Sequence, residues 1–149
     1  MPSDTVIVLK VDATAAKAGL GNASVQTFTF DGLSLFAGTT AGGFRYDAIG
    51  KTWTPFSIGL GTMLDIRSLA VTHAASGSTS LFAAVYGGGV YRSIDGGNWS
   101  TCNNGLVDLW GATYTWVRSL AVGPNAIWGT NVYVGTGIGV YRSTDNGDS

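Results

Sequence analysis

Three stretches of the chain repeat in register, and a fixed internal period restricts the accessible folds more than any local signal does. "VQTFTF" from Val25, "IRSLAV" from Ile66 and "VRSLAV" from Val117 align, and each leads through a turn into "SLFAGT" from Ser34, "SLFAAV" from Ser80 and "NVYVGT" from Asn131. Next come "AGGFRYD" from Ala41, "GGGVYRSID" from Gly87 and "GIGVYRSTD" from Gly137. The first two copies close with "GKTWTPFSIGLG" and "GGNWSTCNNGL". The spacing is 41 residues from Val25 to Ile66 and 51 from Ile66 to Val117. Each segment is a short run of β-branched and aromatic residues between clusters of Gly, Asn, Asp and Ser, so one unit reads as four strands.

The second segment of each unit ("LFAAV", "VYVGT") is apolar almost throughout rather than alternating, as expected of a strand covered on both faces. Sheets covered on both sides need neighbouring sheets, and four-stranded units at a period of roughly 40 to 50 residues predict an all-β fold of β-propeller blades. The expected blades are antiparallel and span 25–65, 66–116 and, incomplete, 117–149. In the preceding region, 1–24, "TVIVLKV" from Thr5 reads as a strand that could complete the last blade, in the same chain or its neighbour. "DATAAKAGLG", with Asp12 as N-cap, reads as a short helix or linker. Closed propellers need roughly four to eight blades, and an open arc exposes apolar faces that soluble monomers avoid. The expected outcome is a head-to-tail homo-oligomer, two chains giving about six blades, or else a fragment of a larger propeller.

Composition agrees with an all-β chain: 23 of 149 residues are Gly, only 11% are charged and there is no Glu. A formal charge of -1, with five Arg and three Lys scattered along the chain, argues against nucleic acid and anionic membranes as partners. Cys102 is the only cysteine, which excludes an intrachain disulfide and a cysteine-based zinc site, and His73 is the only histidine and reads as a loop residue. Asp95-Gly96-Gly97-Asn98 lacks the further oxygen ligands of a calcium loop, and the glycines from Gly87 precede a strand rather than a helix. No metal and no cofactor are therefore expected. The N-terminal apolar run is too short for a signal peptide and no run approaches the ~20 residues of a membrane span, so a soluble protein is expected, its compartment open.

Ser93, Asp95 and Gly97 form a turn signal after "GVYR", with Trp99 close behind and expected to fold back over the hairpin. This pattern resembles the Asp-box (BNR) repeat of sialidase-like β-propellers. Ser143, Asp145 and Gly147 match it again, without a following Trp, and Asp47, Gly50, Thr52 and Trp53 keep a degenerate form. The resemblance implies that these turns lie at the blade periphery, away from the ligand face, and serve structure. The same repeat occurs in sialidases, xyloglucan-cleaving hydrolases, sortilin-type receptors and photosystem II assembly propellers, so it does not select a function.

In the first blade "TTAGGFRYDAIGKTWTP", from Thr39, is most similar to xyloglucanase-type glycoside hydrolases. Thr40 stands where those enzymes carry a catalytic Asp. A hydroxyl without an activating base cannot replace the ionised carboxylate of glycoside hydrolysis, and the second carboxylate has no counterpart. Sialidases need a Glu, which this chain lacks, together with three gripping arginines. Here Arg67 with Arg118, and Arg92 with Arg142 and Arg45, recur at equivalent places, as arginines with structural roles do. No catalytic residue is assigned.

The loop from Asn103 to Trp116 joins one blade to the next and carries Asp108, Trp110, Tyr114 and Trp116. Tryptophans beside Asp and Asn make a sugar-stacking platform, while packing of Trp110 and Trp116 between blades is the commoner fate of such residues. The sequence thus predicts a non-catalytic module acting through assembly and binding, with carbohydrate as the ligand these side chains suit. The alternatives are an inactive relative or fragment of a glycoside hydrolase, and a purely structural assembly protein.

Overall fold

The computed structural model of the chain describes residues 18–74, 76–124 and 129–148. Its strands are β1 (Val25–Phe30), β2 (Leu35–Thr39), β3 (Gly42–Asp47), β4 (Thr52–Pro55), β5 (Ile66–His73), β6 (Thr79–Val85), β7 (Gly89–Ile94), β8 (Ser100–Thr101), β9 (Val117–Pro124), β10 (Thr130–Thr136) and β11 (Val140–Ser143). They form three antiparallel sheets ordered β1-β2-β3-β4, β5-β6-β7-β8 and β9-β10-β11. The described residues contain no helix. The strand expected from Thr5 and nearly all of the helix expected from Asp12 lie outside the described residues, and 18–22 form a turn.

The first strands of the three sheets, β1, β5 and β9, are neighbours, so the sheets fan outward from a common edge. Equivalent bonds tie them: the Leu69 amide donates to Thr27 Oγ1 (3.4 Å) and the Leu120 amide donates to Ser68 Oγ (3.1 Å). The middle sheet explains the continuously apolar β6. Leu81 and Ala83 turn into the seam with the first sheet, and Phe82 and Ala84 turn into the seam with the third. Burying one such Phe contributes roughly 1.5–3 kcal/mol.

The outer sheets each leave one face open among the described residues. Phe36, Phe82 and Tyr133 occupy the same register position, opposite Arg45, Arg92 and Arg142. The first two are buried in seams, whereas Tyr133 is only half-buried. On the far side of the first sheet, Phe28 is 56% exposed over Ala37, Phe44 and Trp53, a face that Leu20 and Ala23 cover only in part. Among the described residues the third sheet has three strands, ending at β11.

The turns after β7 and β11 are built as their residue types suggest. Ser93 Oγ donates to the Gly97 carbonyl (2.5 Å), Asp95 Oδ1 accepts from the Thr79 amide (2.7 Å), and Ser143 Oγ accepts from the Gly147 amide (2.7 Å). After β3, Asp47 Oδ1 accepts from the Ile49 amide (2.9 Å). Trp99 differs from expectation. It clusters with Tyr91 of its own hairpin and also enters the first seam, 5.4 Å from Phe56 between ring centroids, its Nε1 donating to the Phe56 carbonyl (2.9 Å). A seam between two sheets buries both ring faces and still offers the N–H an acceptor, which a solvent-facing turn does not. His73 is the last residue of β5 rather than a loop residue.

Candidate functional site

Each first strand carries one extra residue near its start. The pairing with the second strand skips Gln26, Arg67 and Arg118, a bulge at the same place in all three sheets. A bulged residue leaves the ladder and its side chain is re-aimed. Arg67 and Arg118, from adjacent sheets, thereby converge with Tyr86 on a cavity of about 380 Å³. The Arg67 guanidinium lies 5.0 Å from the Tyr86 ring centroid and forms an ion pair with Asp65, Nη2 to Oδ2 at 2.6 Å. Trp116 meets Tyr86 edge to face, centroids 4.9 Å apart at 71°.

Backbone bonds fix this group. Tyr86 donates its amide to the Asp65 carbonyl (2.8 Å), and the amides of Gly87 and Gly89 both donate to the Thr115 carbonyl (3.1 Å each). Arg118 has no ion-pair or hydrogen-bond partner among the described residues. Asp65 Oδ1 is buried without a hydrogen bond, an arrangement that costs about 1–3 kcal/mol for a desolvated polar group. The cavity is therefore lined by one ion-paired guanidinium, one guanidinium without a partner among the described residues, and the Tyr86 ring, against which Trp116 packs.

The loop from Asn103 to Trp116 folds as a small hairpin with Val107 bridged to Thr113. Asp108 Oδ1 accepts from the amides of Trp110 and Ala112, both at 2.9 Å, so this carboxylate is committed to its own turn. Trp110 stands at the tip, 88% exposed, and Trp116 is about half exposed. Neither packs between sheets, contrary to the commoner fate of tryptophan. The hairpin lifts Trp110 off the sheets, and the Tyr86 contact holds Trp116 at the cavity edge. Tyr114 is half-buried, its amide donating to the Leu106 carbonyl (2.8 Å), with its hydroxyl beside Gly137. Of the four expected ligand residues, Trp116 is the one that touches a wall of the arginine cavity. Sequence reasoning passed over Tyr86 and gave Arg67 and Arg118 a structural role. Their signal was the recurrence of an arginine one residue inside the first strand.

Thr40 exchanges two bonds with Ser24, its Oγ1 accepting from the Ser24 amide (3.2 Å) and its own amide donating to the Ser24 carbonyl (3.0 Å). It closes the end of the β1–β2 pair. Arg92 and Arg45 serve structure at the opposite end of the strands. Arg92 donates from Nη1 to the Asn146 carbonyl (2.8 Å) and pairs through Nη2 with Asp148 (2.7 Å), joining the second sheet to the turn after β11. Arg45 donates to Ser34 Oγ from Nε (3.1 Å) and Nη2 (2.8 Å). Among the described residues there is no cluster of three or more metal-ligating side chains and no helix long and apolar enough to cross a membrane.

Cys102 lies in the second seam, where burial pushes its thiol up to about 11, against a smaller lowering by Arg92 and with a further raising by Asp148. Between its ordinary value of 9.0 and about 11 the unfolded chain releases a proton that the folded chain keeps, so stability falls as pH rises through that window. Urea denaturation at pH 8 and pH 10.5 is expected to show a steeper loss for this chain than for Cys102→Ala. Equal losses would remove Cys102 as the cause.

No protein-family model matches the chain, and no curated protein matches it. Solved structures similar to the chain include two of the extracellular domain of a B. thetaiotaomicron protein, described in one as a putative one component system and in the other as a putative hybrid two component system. The first is matched over 83% of this chain at 16% identity with a TM-score of 0.52. The second is matched over 91% at 16% identity with a TM-score of 0.51. In both, the match spans 16% of the other chain, about one-sixth of its length. The likeness is one of fold.

Proposed function

We propose that the chain is part of an Asp-box β-propeller that binds an anionic carbohydrate without turning it over, and that a second copy covers its open sheet faces. The observation that carries the binding reading is the pair of equivalent bulges that place Arg67 and Arg118 on one cavity with Tyr86, whose ring Trp116 abuts. Guanidinium groups bind carboxylate or sulfate through hydrogen bonds of about 1.5–3 kcal/mol each, and exposed ring faces suit the apolar faces of sugars. The propeller reading is supported by the fanned sheets, the turns after β7 and β11, and the half-buried Tyr133 where its counterparts are buried. The similar solved structures are extracellular domains, and we extend that placement to this chain.

The test is a glycan array with uronate-bearing, sulfated and neutral glycans, followed by calorimetry with the best ligand. Arg118→Ala is expected to weaken binding at least tenfold with no change in thermal midpoint, and added salt is expected to weaken it further. Binding of neutral glycans alone, or unchanged affinity in Arg118→Ala, would reject the site. The assembly reading predicts a two-chain mass in native mass spectrometry, and a well-folded monomer at micromolar concentration would sink it. Turnover of a xyloglucan or sialoside that is lost on changing one Asp would replace the non-catalytic reading.

A further inference from the structure

The second and third sheets match in register around their bulges, yet they furnish the two arginines differently. Ile66 pairs with Val85 and Val117 with Thr136, so Asp65 corresponds to Trp116, Tyr86 to Gly137 and Met63 to Tyr114. In the second sheet the chain satisfies its own arginine. Asp65 Oδ2 accepts from Arg67 Nε (3.0 Å) and Nη2 (2.6 Å), and the Tyr86 ring lies 5.0 Å from the guanidinium. Asp65 Oδ1 is left without a hydrogen bond, and Met63 is a thioether with no proton to donate.

All three places are exchanged in the third sheet. Trp116 in the place of Asp65 removes the internal carboxylate, and its ring packs on Tyr86 of the neighbouring sheet. Gly137 in the place of Tyr86 brings no ring to lie over the guanidinium. Tyr114 in the place of Met63 brings a hydroxyl. A Cβ built on Gly137 would lie 3.1 Å from that hydroxyl and 3.9 Å from Arg118 Nη2, so phenol and guanidinium lie beside the same glycine.

We infer that the ligand binds this cavity through a carboxylate that takes at Arg118 the part Asp65 takes at Arg67. One oxygen accepts from Nε and Nη2, and the other accepts from the Tyr114 hydroxyl. The inference rests on the anionic-carbohydrate reading above and narrows its ligand to uronates. Guanidinium presents a flat edge of N–H groups that matches a planar carboxylate, and a tetrahedral sulfate carries a third oxygen out of that plane. Asp65 already neutralises Arg67, so Arg118 leaves one unbalanced positive charge in the cavity, the count of a single carboxylate.

The test titrates the ¹⁵N-labelled full chain with D-glucuronate, its methyl ester and D-glucose 6-sulfate, and follows the arginine Nε–H signals by NMR. The Arg118 signal is identified by its loss in Arg118→Ala. Glucuronate is expected to move it saturably and at least three times as far as the Arg67 signal, with the sulfate binding at least tenfold more weakly and the ester moving neither. Trp116→Asp rebuilds the ion pair of the second sheet in the third. It is expected to weaken glucuronate at least tenfold relative to Trp116→Asn, which removes the same ring without adding charge. Tyr114→Phe is expected to weaken glucuronate at least threefold. Equal affinity of Trp116→Asp and Trp116→Asn, or unchanged affinity in Tyr114→Phe, would overturn the inference. Sulfate binding as tight as glucuronate, with Arg118 moving in both, would overturn it and leave the anionic-carbohydrate reading standing. If neither anion moves the Arg118 signal, or the ester binds as well as the acid, both readings fail.

Discussion

Gly59→Ala is expected to lower stability by roughly 3–5 kcal/mol, from backbone strain plus overpacking. Gly59 has φ of +100°, and a Cβ there would fall inside the contact distance of the Trp99 carbonyl oxygen and 2.9 Å from its carbonyl carbon. Neither side can retreat easily. The Trp99 amide is bonded to the Ile58 carbonyl at 2.8 Å, and Leu60, the next residue, is completely buried in the first seam. Gly105 supplies an internal control. It has φ of +75° at the equivalent place, but nothing lies within 4 Å of its would-be Cβ. Gly105→Ala is therefore expected to cost only about 1 kcal/mol, the strain of a positive φ on a residue with a side chain. Urea denaturation of both variants measures the difference. Equal costs would show that backbone conformation, and not the approach to Trp99, sets the penalty.

The same comparison shows what the sequence could reveal. The strands were legible because their residues carry two local signals at once: β-forming side chains within each run, and Gly, Asn, Asp or Ser at its ends. The burial of β6 on both faces was legible too, since an unbroken apolar run such as Leu81 to Val85 has no polar face to turn toward water. The seat of Trp99 was not legible. Whether an indole folds over its own turn or enters a neighbouring sheet depends on the position of Phe56 and Leu60, which only the packing of the sheets decides. The arginine cavity was half legible: recurrence marked Arg67 and Arg118 as equivalent, but a bulge is a property of pairing register and leaves no trace in residue type. The hairpin from Asn103 to Trp116 was missed for a related reason. Asp108 looked like a ligand carboxylate, yet its Oδ1 is spent on two amides of its own turn. A short acidic side chain near glycine serves the backbone first, because unpaired amides are costly.

Trp99→Ala is expected to cost about 3–5 kcal/mol, the range for removing a large aromatic from a core. Trp99 is 4% exposed, and its ring contacts both sheets of the first seam, so the hole cannot collapse without moving one sheet against the other. The change also leaves the Phe56 carbonyl without the indole donor. Against a total stability of roughly 5–15 kcal/mol for a domain of this kind, that loss removes a large share. Two further variants separate the contributions. Trp99→Phe keeps most of the apolar area and loses the N–H, and is expected to fall about midway. Trp53→Ala removes a counterpart whose neighbours Phe28 and Tyr46 lie on the face that no sheet of the described residues adjoins, where side chains and water can close over the gap. Its cost is expected to be about half that of Trp99→Ala, since cavity penalties depend on how far a site can collapse. Thermal and urea unfolding of the three variants tests the order. A Trp53→Ala cost equal to or larger than that of Trp99→Ala would mean that the two faces of the first sheet are equally well packed, against the open face seen beside Phe28.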